Sequence, residues 1–206
     1  MNILNKIRGN RSRKPDPVSF WNWFVANDER LRNLNANDGA LIDELGNQLS
    51  AFHPSLTWET GPAEDGGSEF TISADGIKEA FPAVKHLVAS APIIPGWSIV
   101  AFRQRKSPGP LEMDGIVLDP DDIWFSAIKK NSKLDLVLYV KGFGPQTARA
   151  LQGASFILLD VIIGEYDVET LIGGIDWREL PIDPSAKWLR PLRDLPAFVD
   201  ASGLRV

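Results

Sequence analysis

Asp160, Glu165 and Asp167 crowd around Gly164 at the end of the very apolar string LLDVIIGE. Carboxylates in such proximity can serve as general acid and base, or line a site for a small ligand. If that run is buried, Asp160 has to be paired or carry a raised pKa, because a lone buried carboxylate is costly. Arg103, expected on a central strand, and a backbone amide are the natural partners. The structural role of an ion pair and the chemical role compete here, and the residue types alone do not separate them.

The remaining chemistry-bearing strings are incomplete. Gly142-Phe143-Gly144 follows an expected strand and precedes an expected helix, the right setting for a phosphate-binding turn. Pro145 lacks an N–H, however, and Thr147 stands where a third glycine belongs. Gly153-Ala154-Ser155-Phe156-Ile157 imitates a serine-hydrolase elbow without its last glycine, and lies where a helix is already under way. Asp119, Asp121 and Asp122 form an acidic knot, but Asp-Pro-Asp is ordinary turn chemistry and lacks the calcium-loop spacing. His53 and His86 are the only histidines, and there is no cysteine. A three-histidine metal site, thiolate-bound zinc, iron–sulfur ligation and a cysteine nucleophile are thereby excluded. No metal and no cofactor is expected. The FWNWF string, residues 20–24, supplies a different kind of candidate. Trp21, Phe24 and Val25 fall at the spacing that docks a helix on a core, while Trp23 points to another face and is the candidate anchor for a protein partner.

These residues have to be positioned by one ordinary globular fold. The chain has 206 residues, 44% hydrophobic and 24% charged, with a net charge of −5. Residues 1–15 carry Lys6, Arg8, Arg11, Arg13 and Lys14 with no acid, and read as a basic, disordered arm. Without those five residues, 17 basic side chains face 27 acidic ones, a balance of −10. So acidic a body is a poor match for nucleic acid. No apolar run approaches the roughly 20 residues that span a bilayer, and the N-terminus lacks the apolar stretch of a secretory signal. The expected location is the cytoplasm.

Asp16-Pro17 opens a helix that runs on through Leu34, and a second starts near Asn37 or Asp38 and ends at His53-Pro54. Residues 56–60 and 69–74 read as a hairpin around a Gly/Asp-rich turn, followed by a helix near Pro82 and a strand over 97–102. Residues 116–118, 123–128, 134–140 and 170–177 read as further strands. Helix is expected from Pro145, with 156–163 ambiguous because its β-branched residues also suit a strand. A short helix within 189–199, interrupted by Pro191 and Pro196, closes the chain. EFTISADG at 69–76 and DLVLYVKG at 135–142 share a pattern: an acid, alternating apolar residues, then a glycine. Each follows a strand and precedes a helix and a strand. The expected architecture is therefore α+β over residues 16–206, a single domain. It has a mostly antiparallel mixed sheet, two ββαβ units side by side, and the two N-terminal helices packed on the core.

FWNWF at Phe20, FTISADG at Phe70, APIIPGW at Ala91 and LLDVIIGE at Leu158 occur in the order of an uncharacterised bacterial family, a domain of unknown function, which the chain resembles from about Val18 to Trp177. The resemblance implies a bacterial cytoplasmic protein and an α+β fold. It brings no activity, cofactor or catalytic residue. Two functional expectations stand. One is a non-enzymatic interaction or regulatory module that binds another protein through an exposed apolar patch near Trp23 or within 177–188. The other is a small-ligand-binding protein or enzyme with a carboxylate site at Asp160 and Glu165, joined by Arg103.

Overall fold

The computed structural model describes residues 16–63 and 66–205. The basic arm lies outside them. Helix α1 (Pro17–Ala26) starts as its first residues dictate: Pro17 needs no N–H partner, and the Asp16 carboxylate accepts the Val18 N–H at 3.1 Å. The expected long first helix breaks at Asn27, whose side-chain amide donates to the Trp23 carbonyl, and resumes as α2 (Asp28–Arg32). Helix α3 (Gly39–Ser50) carries Leu41, Leu45 and Leu49 on its buried face. Strands β1 (Thr57–Pro62) and β2 (Ser68–Ser73) form the first hairpin, and α4 (Phe81–Ala89) leads to β3 (Trp97–Ala101). A small hairpin of β4 (Leu111–Met113) and β5 (Ile116–Leu118) follows, of which only the second strand is expected from sequence. Strands β6 (Ile123–Lys130) and β7 (Lys133–Val140) pair tightly, then come α5 (Ala148–Ile163), α6 (Glu165–Leu171), β8 (Ile172–Glu179), β9 (Arg190–Pro191) and α7 (Leu195–Ala201).

The fold is α+β, and four of its six strand pairings are antiparallel. The first sheet runs β1-β2-β3, with β1 antiparallel and β3 parallel to the central β2. The second runs β8-β7-β6-β9, with β6 antiparallel and β8 parallel to β7. Both are ββαβ units, and EFTISADG and DLVLYVKG occupy the same central position in each. The exits also match: the Phe102 N–H donates to the Ile72 carbonyl, and the Leu180 N–H to the Val140 carbonyl.

Each unit has its own apolar cluster. In the first, Phe20, Trp21 and Phe24 of α1 and Leu45 and Leu49 of α3 close over Phe70 and Ile72 of β2. Both expected N-terminal helices therefore dock on the first sheet. In the second, Leu151, Leu158, Leu159 and Ile162 of α5 cover Ile123, Phe125, Leu136 and Leu138. Each fully buried Phe or Leu contributes about 1.5–3 kcal/mol of transfer free energy. The ambiguous stretch 156–163 is helical, because its apolar residues recur at three and four and face that cluster. Gly164 ends α5 at φ +84° and opens α6 directly. The last long strand consequently starts at Ile172 rather than Thr170 and extends to Glu179. No helix among the described residues is long and apolar enough to cross a membrane.

Candidate functional site

The two units meet where the C-terminal ends of β2 and β3 face the α5–α6 junction. Chain geometry there is forced by left-handed residues: Asp75 at φ 52°, Gly76 at φ 76° and Phe102 at φ 64°. These turn the strand ends so that several backbone N–H groups converge on one point. Glu165 fills it. Its side chain is wholly buried. Oε1 accepts the Ala74 N–H at 3.0 Å and the Gly76 N–H at 3.1 Å, and Oε2 accepts the Arg103 N–H at 3.2 Å. The Glu165 N–H in turn donates to the Arg103 carbonyl at 3.0 Å. A buried carboxylate with three amide donors is a satisfied structural group, and it ties the second unit to the first.

Arg103 stands above this tie. Nε donates to Glu59 of β1, Nη1 lies 3.0 Å from Asp75, and the same nitrogen lies 3.9 Å from Asp160 of α5. Burial alone would lower the guanidinium pKa, yet Glu59 and Asp75 hold it above the ordinary value. Asp160 behaves oppositely. Burial, reinforced by the neighbouring negative charges, raises its carboxyl to about 6, and Arg103 at 3.9 Å only partly offsets this. Asp160 is thus partly buried, with Arg103 as its nearest cation.

A crevice of about 340 Å³ opens between these groups. Glu59, Asp75, Arg103 and Lys106 give it charge, Asp160 sits in its wall, and Ile157 and Val161 make the α5 side apolar. A second cleft of about 630 Å³ lies across the 102–105 segment, where Lys85 reaches the Tyr166 hydroxyl at 3.0 Å and Arg105 is held by Asp167 and Asp200. Asp167, one of the three clustered acids, thus faces this second cleft and is paired with Arg105 and Arg205.

Of the residues singled out by sequence, Arg103, Asp160 and Glu165 come together. Trp23 does not join them. It is half-buried against the first core, and its indole N–H donates to Glu44 at 2.7 Å. Glu59 and Asp75 complete the crevice and carried no chemical signal of their own. The available clue was topological: in a ββαβ unit the C-terminal ends of the parallel strands converge, and Asp75 closes β2.

The other candidates resolve into structure. The Gly142 N–H is held by Glu179 at 3.1 Å and the Gly144 N–H by Thr147 at 3.0 Å, so both amides of that turn have partners within the chain. Ser155 is buried and donates to the Leu151 carbonyl at 2.6 Å. Asp119 caps a turn through the Asp121 N–H, Asp121 meets Arg193, and Asp122 pairs with Lys141. Among the described residues, no group of three or more His, Asp or Glu is placed to hold a metal ion. His53 accepts the Ser55 N–H through Nδ1, and His86 is exposed on α4. No family model, curated protein or solved structure matches the chain.

Proposed function

We propose that this protein is a binding module, and that the group it recognises enters the crevice beneath Arg103. One observation carries the reading: a single guanidinium is shared among Glu59, Asp75 and Asp160 around a cavity large enough for a small polar ligand. Three carboxylates face two cations, Arg103 and Lys106, around the crevice, and Asp160 is held in an unfavourable charge state near neutral pH. A ligand bearing a protonated amine or guanidinium would relieve that state, with its carbon skeleton on Ile157 and Val161. Neither histidine hydrogen-bonds a serine or threonine hydroxyl among the described residues, so recognition is better supported than catalysis. The kinship with an uncharacterised bacterial family and a cytoplasmic location belong to the same proposal.

The test is a thermal-shift titration at pH 7.5 with alkyl amines, guanidines and matched carboxylic acids. A cation present at about 100 times its dissociation constant adds about 2.7 kcal/mol, or about 5–11 °C for a chain of this size. The reading expects that shift in wild type and its loss in Asp160→Asn. Equal shifts in the two proteins, or a response to the acids alone, would sink it.

A second reading rests on a separate observation. Ile182 and Trp188 are almost fully exposed on the β8–β9 loop, Trp188 at 92% and in a left-handed conformation. Exposed Trp flanked by polar residues is the anchor chemistry of protein interfaces. This loop falls in the segment expected to carry a patch, whereas Trp23 is engaged internally. Trp188→Ala is expected to leave the melting temperature unchanged while abolishing capture of any partner that uses the loop.

A further inference from the structure

Strand β8 forms the rim of the second sheet: β7 pairs with one side of it, and no strand pairs with the other among the described residues. The Leu180 N–H donates to β7, so the alternation of a parallel ladder turns Arg178 and Asp176 toward β7 as well. The N–H and C=O groups of Ile175, Trp177 and Glu179 therefore face outward. Consistent with this, the Trp177 N–H is taken by the adjacent Asp176 side chain at 3.0 Å instead of by β7. The corresponding rim of the first sheet is blunted. There the Ala101 carbonyl accepts the Gln104 side chain and the Trp97 N–H is used by the Ile94 carbonyl. An open edge of eight residues is a template for pairing with another chain.

We infer that this edge pairs antiparallel with β8 of a second copy of the chain, centred on Trp177. The register follows from backbone and charge together. Only registers that set outward-facing residues opposite one another can form the ladder. Centring on Asp176 would oppose two aspartates, and centring on Arg178 would oppose two arginines. Centring on Trp177 sets Asp176 opposite Arg178 twice, once on each side of the two-fold axis, and Ile175 opposite Glu179. Like charges directly opposite are destabilising and unlike charges favourable, so of these three registers the one centred on Trp177 is preferred. The Asp176–Arg178 contact now made within one strand, at 3.0 Å, exchanges for the same contact between strands. On the other face Trp177 packs against Phe156, whose ring lies 5.3 Å away and is 46% exposed. The two-fold brings both Trp177–Phe156 pairs together and covers them. The two sheets become one of eight strands, an isologous dimer.

Sedimentation equilibrium of the full chain, over about 1–200 µM at moderate salt, tests this. Wild type is expected to rise from monomer to twice the monomer mass. Arg178→Asp, which opposes acid to acid, and Asp176→Arg, which opposes base to base, should each weaken association at least about tenfold with unchanged circular dichroism. The two substitutions act with opposite sign, so a folding defect in one leaves the other informative. The double swap Asp176→Arg/Arg178→Asp restores complementarity and should restore the dimer. Wild type that stays monomeric throughout overturns the inference. So does undiminished association of both single variants, or a double swap no tighter than they are.

Discussion

The two ββαβ units share a topology, a central strand ending in glycine and a left-handed residue at that glycine: φ is 76° at Gly76 and 78° at Gly142. They differ in what satisfies the turn. The Gly142 N–H is held by Glu179 of its own unit, on the exposed end of β8. The Gly76 N–H is held by Glu165, which belongs to the other unit and is wholly buried. The same local device is closed internally in one unit and across the junction in the other. The cross-junction version collects three amides and brings Arg103, Asp75 and Asp160 into one crevice. A repeated supersecondary frame thus encloses this crevice only at the junction, where its strand ends are completed by a side chain of the other unit.

The contrast can be broken most severely at the two glutamates. Glu165→Ala leaves the buried Ala74 N–H and the partly buried Gly76 and Arg103 N–H groups without an acceptor and should cost about 3–5 kcal/mol, lowering the melting temperature by about 6–20 °C. Glu179→Ala removes one exposed acceptor and should stay within about 0.5 kcal/mol. Equal losses would mean that the junction is no more than a surface contact.

Asp160 gives the next effect, with the opposite sign. Its folded pKa, about 6, lies above the ordinary value of 3.8. The folded chain therefore takes up a proton between those pH values. The stabilisation from that proton is fully present below about pH 4 and is lost as pH rises through 6. The full shift corresponds to about 3 kcal/mol, which solvent screening of a partly exposed carboxyl reduces to about 1–2 kcal/mol. Asp160→Asn should accordingly raise the melting temperature at pH 7.5 by about 2–8 °C and flatten its slope between pH 4 and 6.5. A destabilised variant with the slope intact would show that the Arg103 contact outweighs the desolvation of Asp160.

The smallest effect separates the glycines. Both Gly76→Ala and Gly142→Ala place a side chain in left-handed backbone, at about 1 kcal/mol each. At Gly76 the new Cβ also meets a Glu169 carboxylate oxygen at 3.2 Å, whereas nothing lies within 4 Å at Gly142. Urea denaturation should find Gly76→Ala the costlier by a few tenths of a kcal/mol, less if Glu169 swings aside.

Much of this frame was legible in the chain. The apolar alternation in EFTISADG and DLVLYVKG and their closing glycines identified two equivalent strands; β7 buries alternate residues as that pattern requires, whereas β2 is buried at four consecutive positions, 70–73. The Asp16-Pro17 start of α1 and the Gly164 end of α5 were equally local, since caps satisfy their own neighbours. The sequence was undecided or misleading where local signals conflict. Residues 156–163 have β-branched side chains at helical spacing, and only the apolar surface of β6 and β7 decides for helix. Thr170 and Leu171 favour strand by type, yet they finish α6 because Val168 and Leu171 bury themselves in the second core.

The sequence by itself determined the strand–strand–helix–strand order, the absence of thiol chemistry and the clustering of three acids around Gly164, all of which follow from residue type and short-range spacing. Only the tertiary structure decided that Glu165 is an internal ligand of backbone amides while Asp160 faces a cavity. Those two carboxylates lie five residues apart, and the difference between them comes from elements more than 50 residues away: the strand ends at Ala74, Gly76 and Arg103 that surround one and leave the other partly desolvated. Desolvation and amide convergence are properties of packed surfaces, and neither leaves a mark at the position that experiences it.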